Sequence, residues 1–271
     1  MNAPLSIWSA YYIDLDPEAA VLEMKKHGLF CSELSDEHGL MLLKRGEPKA
    51  VGAEFRAFLE KEGFSMPQGH LWLQCRICTD EGAVETLLQW LQLYEAIGVK
   101  NAVLHCDSLE GEPQLTDQER LDRNLAQLLR LQAGMQGMNI RVCLENLTRI
   151  CRSADELLYL AERLDPQYFG ICLDTGHLNM CTQPQEEFIR KAGDRLHALH
   201  IADNEGHADQ HMMPYGRGNI DFEAVVRELR GIGYEGLFNL EIGGERHAPY
   251  EILGYKIEYI RKCYDYLMKN S

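Results

Sequence analysis

Short apolar runs alternate with longer stretches of helical spacing along the whole chain. The runs are LSIWSAYY, LFCSEL, HLWLQC, VKNAVLHC, IRVCLEN, YFGICLD, LHALHIA and GLFNLEI. Most are nearly continuous in apolar or β-branched residues, as parallel strands buried on both faces should be. After them come DPEAAVLEMKKHG, GAEFRAFLEKEG, EGAVETLLQWLQLYEAIG, TDQERLDRNLAQLLRLQAGMQG, SADELLYLAERL, PQEEFIRKAG, DFEAVVRELRGIG and PYEILGYKIEYIRKCYDYLMKN. Asp16-Pro17, Thr116 with Glu119, Ser153 with Glu156, and Asp221 are helix-opening caps. Gly28, Gly63, Gly98 and Gly233 are helix-closing residues, because glycine takes a left-handed conformation cheaply. No Pro/Ser-rich linker or change of composition divides the pattern. Eight strand–helix units therefore predict an α/β fold, a (β/α)8 TIM barrel, with residues 1–271 as a single domain. A doubly wound open sheet fits less well, since no glycine-rich turn follows the first strand.

A barrel places chemistry at the C-terminal ends of its strands, and polar residues fall there. Strand four ends at His105 with Asp107, strand five at Glu145 with Asn146, and strand six at Asp174 with His177. Strand seven ends at His200 with Asp203, and strand eight at Glu241. Strand two adds Glu33, and strand three is expected to begin near His70. A buried carboxylate at such an end costs several kcal/mol unless it is paired or bound to a cation. Taken singly, Glu145 also reads as an ion-pair partner, His105 as a core histidine and Asp174 as a helix cap. Taken jointly, two glutamates, an aspartate and a histidine form a hard oxygen/nitrogen set suited to Mn2+, Mg2+, Co2+ or Zn2+. In HADQHMMPYGRGNID, residues 207–221, Asp209 and His211 are expected near that mouth, with Asp221 capping the next helix. A polar turn is the alternative reading of this stretch.

Charge and cysteine usage narrow the function classes. The 271 residues carry 42 acidic against 27 basic side chains, a formal net charge of −15. Such a field disfavours nucleic acid and anionic membranes as partners, and no basic patch offsets it. Nine cysteines, an odd number in a chain too large to need a disulfide framework, point to free thiols and the cytoplasm. The pair Cys75 and Cys78 lacks a second pair at zinc-ribbon spacing and reads as structural. The start, MNAPLSIWSAYY, lacks the basic region and apolar core of a signal peptide.

The motifs CLEN (143–146), CLDTGH (172–177), LHALHIAD (196–203), DQHMMPYGRGNID (209–221) and FNLEI (238–242) carry a resemblance. With them the chain resembles, over essentially its whole length, the sugar isomerase/epimerase superfamily with a xylose-isomerase-like TIM barrel. That superfamily includes ketose 3-epimerases, hydroxypyruvate isomerases and inosose dehydratases, together with type-IV apurinic endonucleases. The resemblance to the 3-epimerases implies a divalent metal, Mn2+ first, held by Glu145, Asp174, His200 and Glu241. It implies that Glu145 and Glu241 exchange protons on opposite faces of a carbohydrate through a metal-stabilised enediolate. His177 would contact substrate oxygens, with His105, Asp209, His211, Glu33, His70 and Arg217 as further substrate contacts. A homo-oligomer is an expectation of the same kind.

Two other activities remain open. A dehydratase or lyase acting on an inositol-derived or oxidised sugar uses the same chemistry when a leaving group lies beyond the carbanion. The type-IV endonucleases hold three zinc ions, and this chain offers His70, His105, Glu145, Asp174, His177, His200, Asp209, His211 and Glu241 as matches. Their DNA substrate demands basic loops that this sequence lacks. The epimerases carry an arginine soon after the strand-seven histidine; here the nearest is Arg217, which leaves the sugar open. The scarcity of basic residues near the mouth favours a substrate without phosphate.

Overall fold

The computed structural model describes residues 3–244 and 247–271; Met1 and Asn2 of the N-terminal stretch lie outside them. Eight parallel strands follow in chain order: β1 (Leu5–Ile7), β2 (Cys31–Leu34), β3 (Ser65–His70), β4 (Asn101–Leu104), β5 (Arg141–Glu145), β6 (Phe169–Asp174), β7 (Leu196–His200) and β8 (Phe238–Leu240). β2 to β7 form one continuous ladder and β1 pairs with β8. Single parallel bridges, Trp8 to Glu33 and Ile201 to Leu240, join the two parts. The sheet thus closes on itself, as the strand–helix alternation predicts.

The helices are α1 (Pro17–Lys26), α2 (Asp36–Leu43), α3 (Pro48–Glu62), α4 (Ala83–Ile97), α5 (Asp117–Gly134), α6 (Ala154–Ala161), α7 (Thr175–Asn179), α8 (Gln185–Ala192), α9 (Phe222–Gly231) and α10 (Tyr250–Asn270). Cap chemistry sets many of their starts. Asp16 accepts from the Ala19 amide at 2.8 Å, and Thr116 with Glu119 forms a reciprocal capping box. Among the described residues no helix is long and apolar enough to cross a membrane. All nine cysteines are free thiols.

Two expectations fail, both because of glycines. The sequence suggests no helix between strand two and GAEFRAFLEKEG, yet α2 forms there, capped by Ser35. Its Gly39 reads as a breaker. In the fold it admits neighbouring aromatics, for a Cβ there would lie 2.6 Å from Trp90 Cζ3 and Tyr94 Oη. The third strand is Ser65–His70, not HLWLQC, so His70 ends it rather than begins it. Pro67 and Gly69 hide that strand, while Leu71 and Trp72 imitate one in the following loop. Gly69 is required because the Tyr94 ring lies against it; a Cβ would sit 2.7 Å from Cε2. Cys75 and Cys78 therefore occupy a loop, not a strand.

Strand alternation then sorts the side chains. Val103, Cys143, Cys172 and Ala198 form a separate small buried cluster within the barrel. Ala102, Leu104, Val142, Leu144, Ile171, Leu173 and Leu199 join the large core beneath the helices. Two residues beyond each small inner residue comes a polar one: His105, Glu145, Asp174 and His200.

Candidate active site

The buried polar groups at the strand ends converge. One ligating atom each from Glu145, Asp174, His200 and Glu241 lies within 4.8 Å of the others, and all four residues are buried. Glu145 Oε2 lies 3.2 Å from His200 Nδ1, and Glu241 Oε2 lies 3.3 Å from the same nitrogen. Despite these distances, His200 Nδ1, Glu145 Oε1 and Asp174 Oδ2 have no aligned hydrogen-bond partner. Buried polar atoms without partners cost about 1–3 kcal/mol each. Their convergence on one point suits a divalent cation, which would satisfy them together.

The histidines are turned toward this point by partners on their far sides. His200 Nε2 donates to Glu33 Oε1 at 3.0 Å, leaving Nδ1 for the cage. His70 Nδ1 donates to the Leu71 carbonyl at 2.6 Å, so its unpartnered Nε2 faces Glu145 Oε2 at 3.5 Å. His177 Nδ1 donates to the Asn146 carbonyl at 3.1 Å and His211 Nδ1 to the Glu241 carbonyl at 2.7 Å. Their Nε2 atoms then face Asp209 at 3.2 and 3.1 Å. A ring nitrogen bonded to a carbonyl must carry a proton, so in the neutral ring the other nitrogen is the one that offers a lone pair to a cation. This is the outer-shell arrangement of metal-binding histidines. Asn146 locks the neighbouring strand: it accepts from the Asp174 amide at 2.7 Å and donates to the Asp174 carbonyl at 2.9 Å.

Among the described residues five overlapping groups of potential ligands result, and three of them together hold every ligand but Cys172: His70, His105 and Glu145; Glu145, Asp174, His200 and Glu241; and His177, Asp209 and His211. Glu145 belongs to the first two. His105 Nε2 approaches its Oε2 to 3.0 Å. The second group lies deepest, and the third stands at the mouth, with the Asp209 side chain 40% exposed.

The electrostatics follow from this crowding. Burial pushes Glu145 up, but His200 and His105 outweigh it and hold the carboxyl well below the usual range. Burial together with the nearby Glu145 pushes Glu241 up to about 7, against the pull of His200. Burial opposes charge on His200, yet the surrounding acids hold its proton well above the ordinary imidazole range. Burial likewise opposes charge on His211, and Asp209 with Glu241 more than offsets it, raising it to about 10. The cage binds positive charge, whether proton or metal.

Not every expected substrate contact faces the mouth. Glu33 is fully buried behind His200, where it also accepts a hydrogen bond from Asn239 Nδ2. It reaches His200 from the side away from the cage. Strand alternation alone did not reveal this, because Glu33 and Asn239 lie 206 positions apart and meet only once β1 is seated between β8 and β2. Arg217 is an exposed side chain 3.3 Å from Glu205. It lines a cavity of about 420 Å³ with His211, Tyr11, Met212, Met213 and Ile242. The loop that carries Asp209 and His211 is fixed by backbone. Asp203 and Met212 form an antiparallel bridge, and Gly218 lies so close to the Asp203 carboxyl that a Cβ would overlap it at 2.1 Å. Asp221 caps α9 through the Ala224 amide at 2.9 Å.

Comparison with known proteins agrees with this architecture. The xylose isomerase-like TIM barrel family matches residues 22–263. Fructoselysine 3-epimerase of Escherichia coli O157:H7 is 31% identical over 128 residues, 45% of this chain and 45% of that protein. D-psicose 3-epimerase of Enterocloster bolteae is 28% identical over 129 residues, 46% of this chain and 40% of that protein. The matched segments thus span about half the length, or less, of these curated relatives. A crystal structure of D-psicose 3-epimerase in the presence of D-fructose superposes with a TM-score of 0.81 at 15% identity, covering 97% of this chain and 99% of that one. At that identity the likeness is one of fold. The family match, covering nearly all of the chain, establishes that this protein belongs to the xylose isomerase-like TIM barrel family.

Proposed function

We propose that this chain is a divalent-metal-dependent sugar isomerase or epimerase that moves a proton at a carbon beside a carbonyl. Glu145 and Glu241 are the acid/base pair. One observation carries the reading: carboxylates from β5 and from the end of β8 approach the same His200 nitrogen, at 3.2 and 3.3 Å. These strands are three places apart around the barrel, so the carboxylates reach the centre from different walls. Two carboxylates so placed can remove a proton from one face of a bound carbon and return one to the other. Glu145, Asp174, His200 and Glu241 would hold the ion, Mn2+ first among candidates. When bound, it supplies Lewis acidity to the sugar carbonyl and adjacent hydroxyl. His177 and His105, on the cavity side of Glu145, orient the sugar's hydroxyls. The names of the relatives, psicose and fructoselysine 3-epimerases, support the same substrate class.

The test is deuterium uptake. Protein loaded with Mn2+ is incubated in D2O with ketoses, ketosugars and inosose-type compounds. Incorporation at a carbon α to the carbonyl is expected, and its absence with every compound would remove the proposal.

A second reading has its own observation. The three ligand groups linked through Glu145 and His177 could accommodate three cations, the arrangement expected of a phosphodiester-cleaving centre. Elemental analysis separates the two readings. About one tightly held ion with deuterium uptake supports the sugar enzyme; three zinc ions with nicking of abasic DNA supports the other. The net charge of −15 favours the sugar.

A further inference from the structure

Beside the cage lies a cavity of about 250 Å³ that shares His105 and His177 with it. Its lining is mixed: Leu73, Leu147 and Ile150 are apolar, and two arginines, Arg76 and Arg149, stand among its polar residues. Arg76 stands on the loop after β3 and Arg149 on the loop after β5, far apart in sequence. Among the described residues, the Arg76 guanidinium makes no ion pair. Arg149 pairs with Glu110 at 2.5 Å, but both side chains are more than half exposed, at 67% and 52%. Such a pair is worth about 0–1 kcal/mol and yields readily to a better anion.

We infer that this cavity is a second subsite, which receives a carboxylate appended to the keto-sugar bound in the cage. This rests on the sugar-enzyme reading above. The cage needs only the carbonyl, its neighbouring hydroxyl and the reacting carbon, so the remainder of a substrate must lie outside it. The direction past His105 and His177 leads into this cavity and to two cations in a protein otherwise rich in acid. A guanidinium offers paired, parallel donors matched to a carboxylate. Asp107 and Glu110 line the same cavity. Their negative charge penalises a phosphate dianion more than a carboxylate monoanion.

The test compares ligands that differ by one charge. Fructosylglycine, a ketose with a carboxymethylamino group on C1, is set against its carboxamide, with fructose 6-phosphate as a third arm. Binding to the Mn2+-loaded protein is measured by calorimetry and turnover by deuterium uptake. The acid is expected to bind about tenfold more tightly than the amide, and R76Q is expected to bring the ratio near one, with R149Q showing a smaller drop. Equal binding of acid and amide by the wild type, no binding of either, or an unchanged ratio in R76Q would overturn the subsite. Preference for fructose 6-phosphate over fructosylglycine would overturn the choice of carboxylate. Charge discrimination without deuterium uptake would leave the subsite standing and contradict the proton-transfer reading.

Discussion

The two faces of the same strands follow opposite rules. On β5, Val142 and Leu144 point to the helices and belong to the large apolar core, while Cys143 and Glu145 point into the barrel. The outer face gains stability by excluding water from methyl groups. The inner face at the C-terminal end buries Glu33, His70, Glu145, Asp174 and His200 with no measurable exposure. Such burial opposes folding unless every charge finds a partner. Part of that requirement is met by hydrogen bonds that His200 donates to Glu33 and His70 donates to the Leu71 carbonyl. The remainder, the unpartnered atoms of His70, Glu145, Asp174 and His200, is what the proposed cation would satisfy. One face maintains the fold, and the other holds reactive groups at a cost in stability.

Substitutions that separate the faces should separate stability from activity. The largest effect is expected at the inner carboxylates. Glu145→Gln or Glu241→Gln should lower deuterium exchange by about a thousandfold, measured on protein whose circular dichroism confirms folding. Leu144→Ala on the outer face should destabilise by about 2–5 kcal/mol in denaturant titration, with turnover per folded molecule retained. If Leu144→Ala instead abolished turnover in folded protein, the division between faces would be lost.

Smaller effects sharpen the inner layer. Glu33→Gln removes a carboxylate acceptor from His200 Nε2, so Mn2+ affinity should fall about 10- to 100-fold in a chelator competition assay. An unchanged affinity would mean that Glu33 does not orient the ligand. The smallest effect concerns His197, on β7 near the opposite end of the strand from His200. Burial, with Arg141 and Arg195 nearby, lowers it to about 4. The unfolded chain therefore binds a proton, beginning near pH 6.5, that the folded chain refuses. Stability is complete above that pH and declines as pH falls toward 4. Between pH 7 and 5 wild type should lose more stability than His197→Gln. Parallel unfolding curves for the two proteins would contradict the assignment.

The sequence made the barrel legible because its strands are continuous apolar runs with caps and glycines at the helix ends. The strand-end residues Glu145, Asp174 and His200 were legible for the same reason: each is a polar residue at or near the end of a recognisable run. What escaped depended on contacts across the fold. Gly39 and Gly69 read as breaks until Trp90 and Tyr94 are seen against them. Glu33 reads as a mouth residue until Asn239, 206 positions away, is found bonded to it. Arg76 and Arg149 come to one cavity only in the closed barrel, which brings their loops together.

The central claim is that Glu145, Asp174, His200 and Glu241 form one cation site between two proton-transferring carboxylates. Anomalous diffraction from crystals soaked in Mn2+ tests it directly. The account predicts a peak within bonding distance of all four residues, lost in Glu145→Gln crystals. A peak confined to His177, Asp209 and His211, or no peak in the barrel mouth, would contradict it.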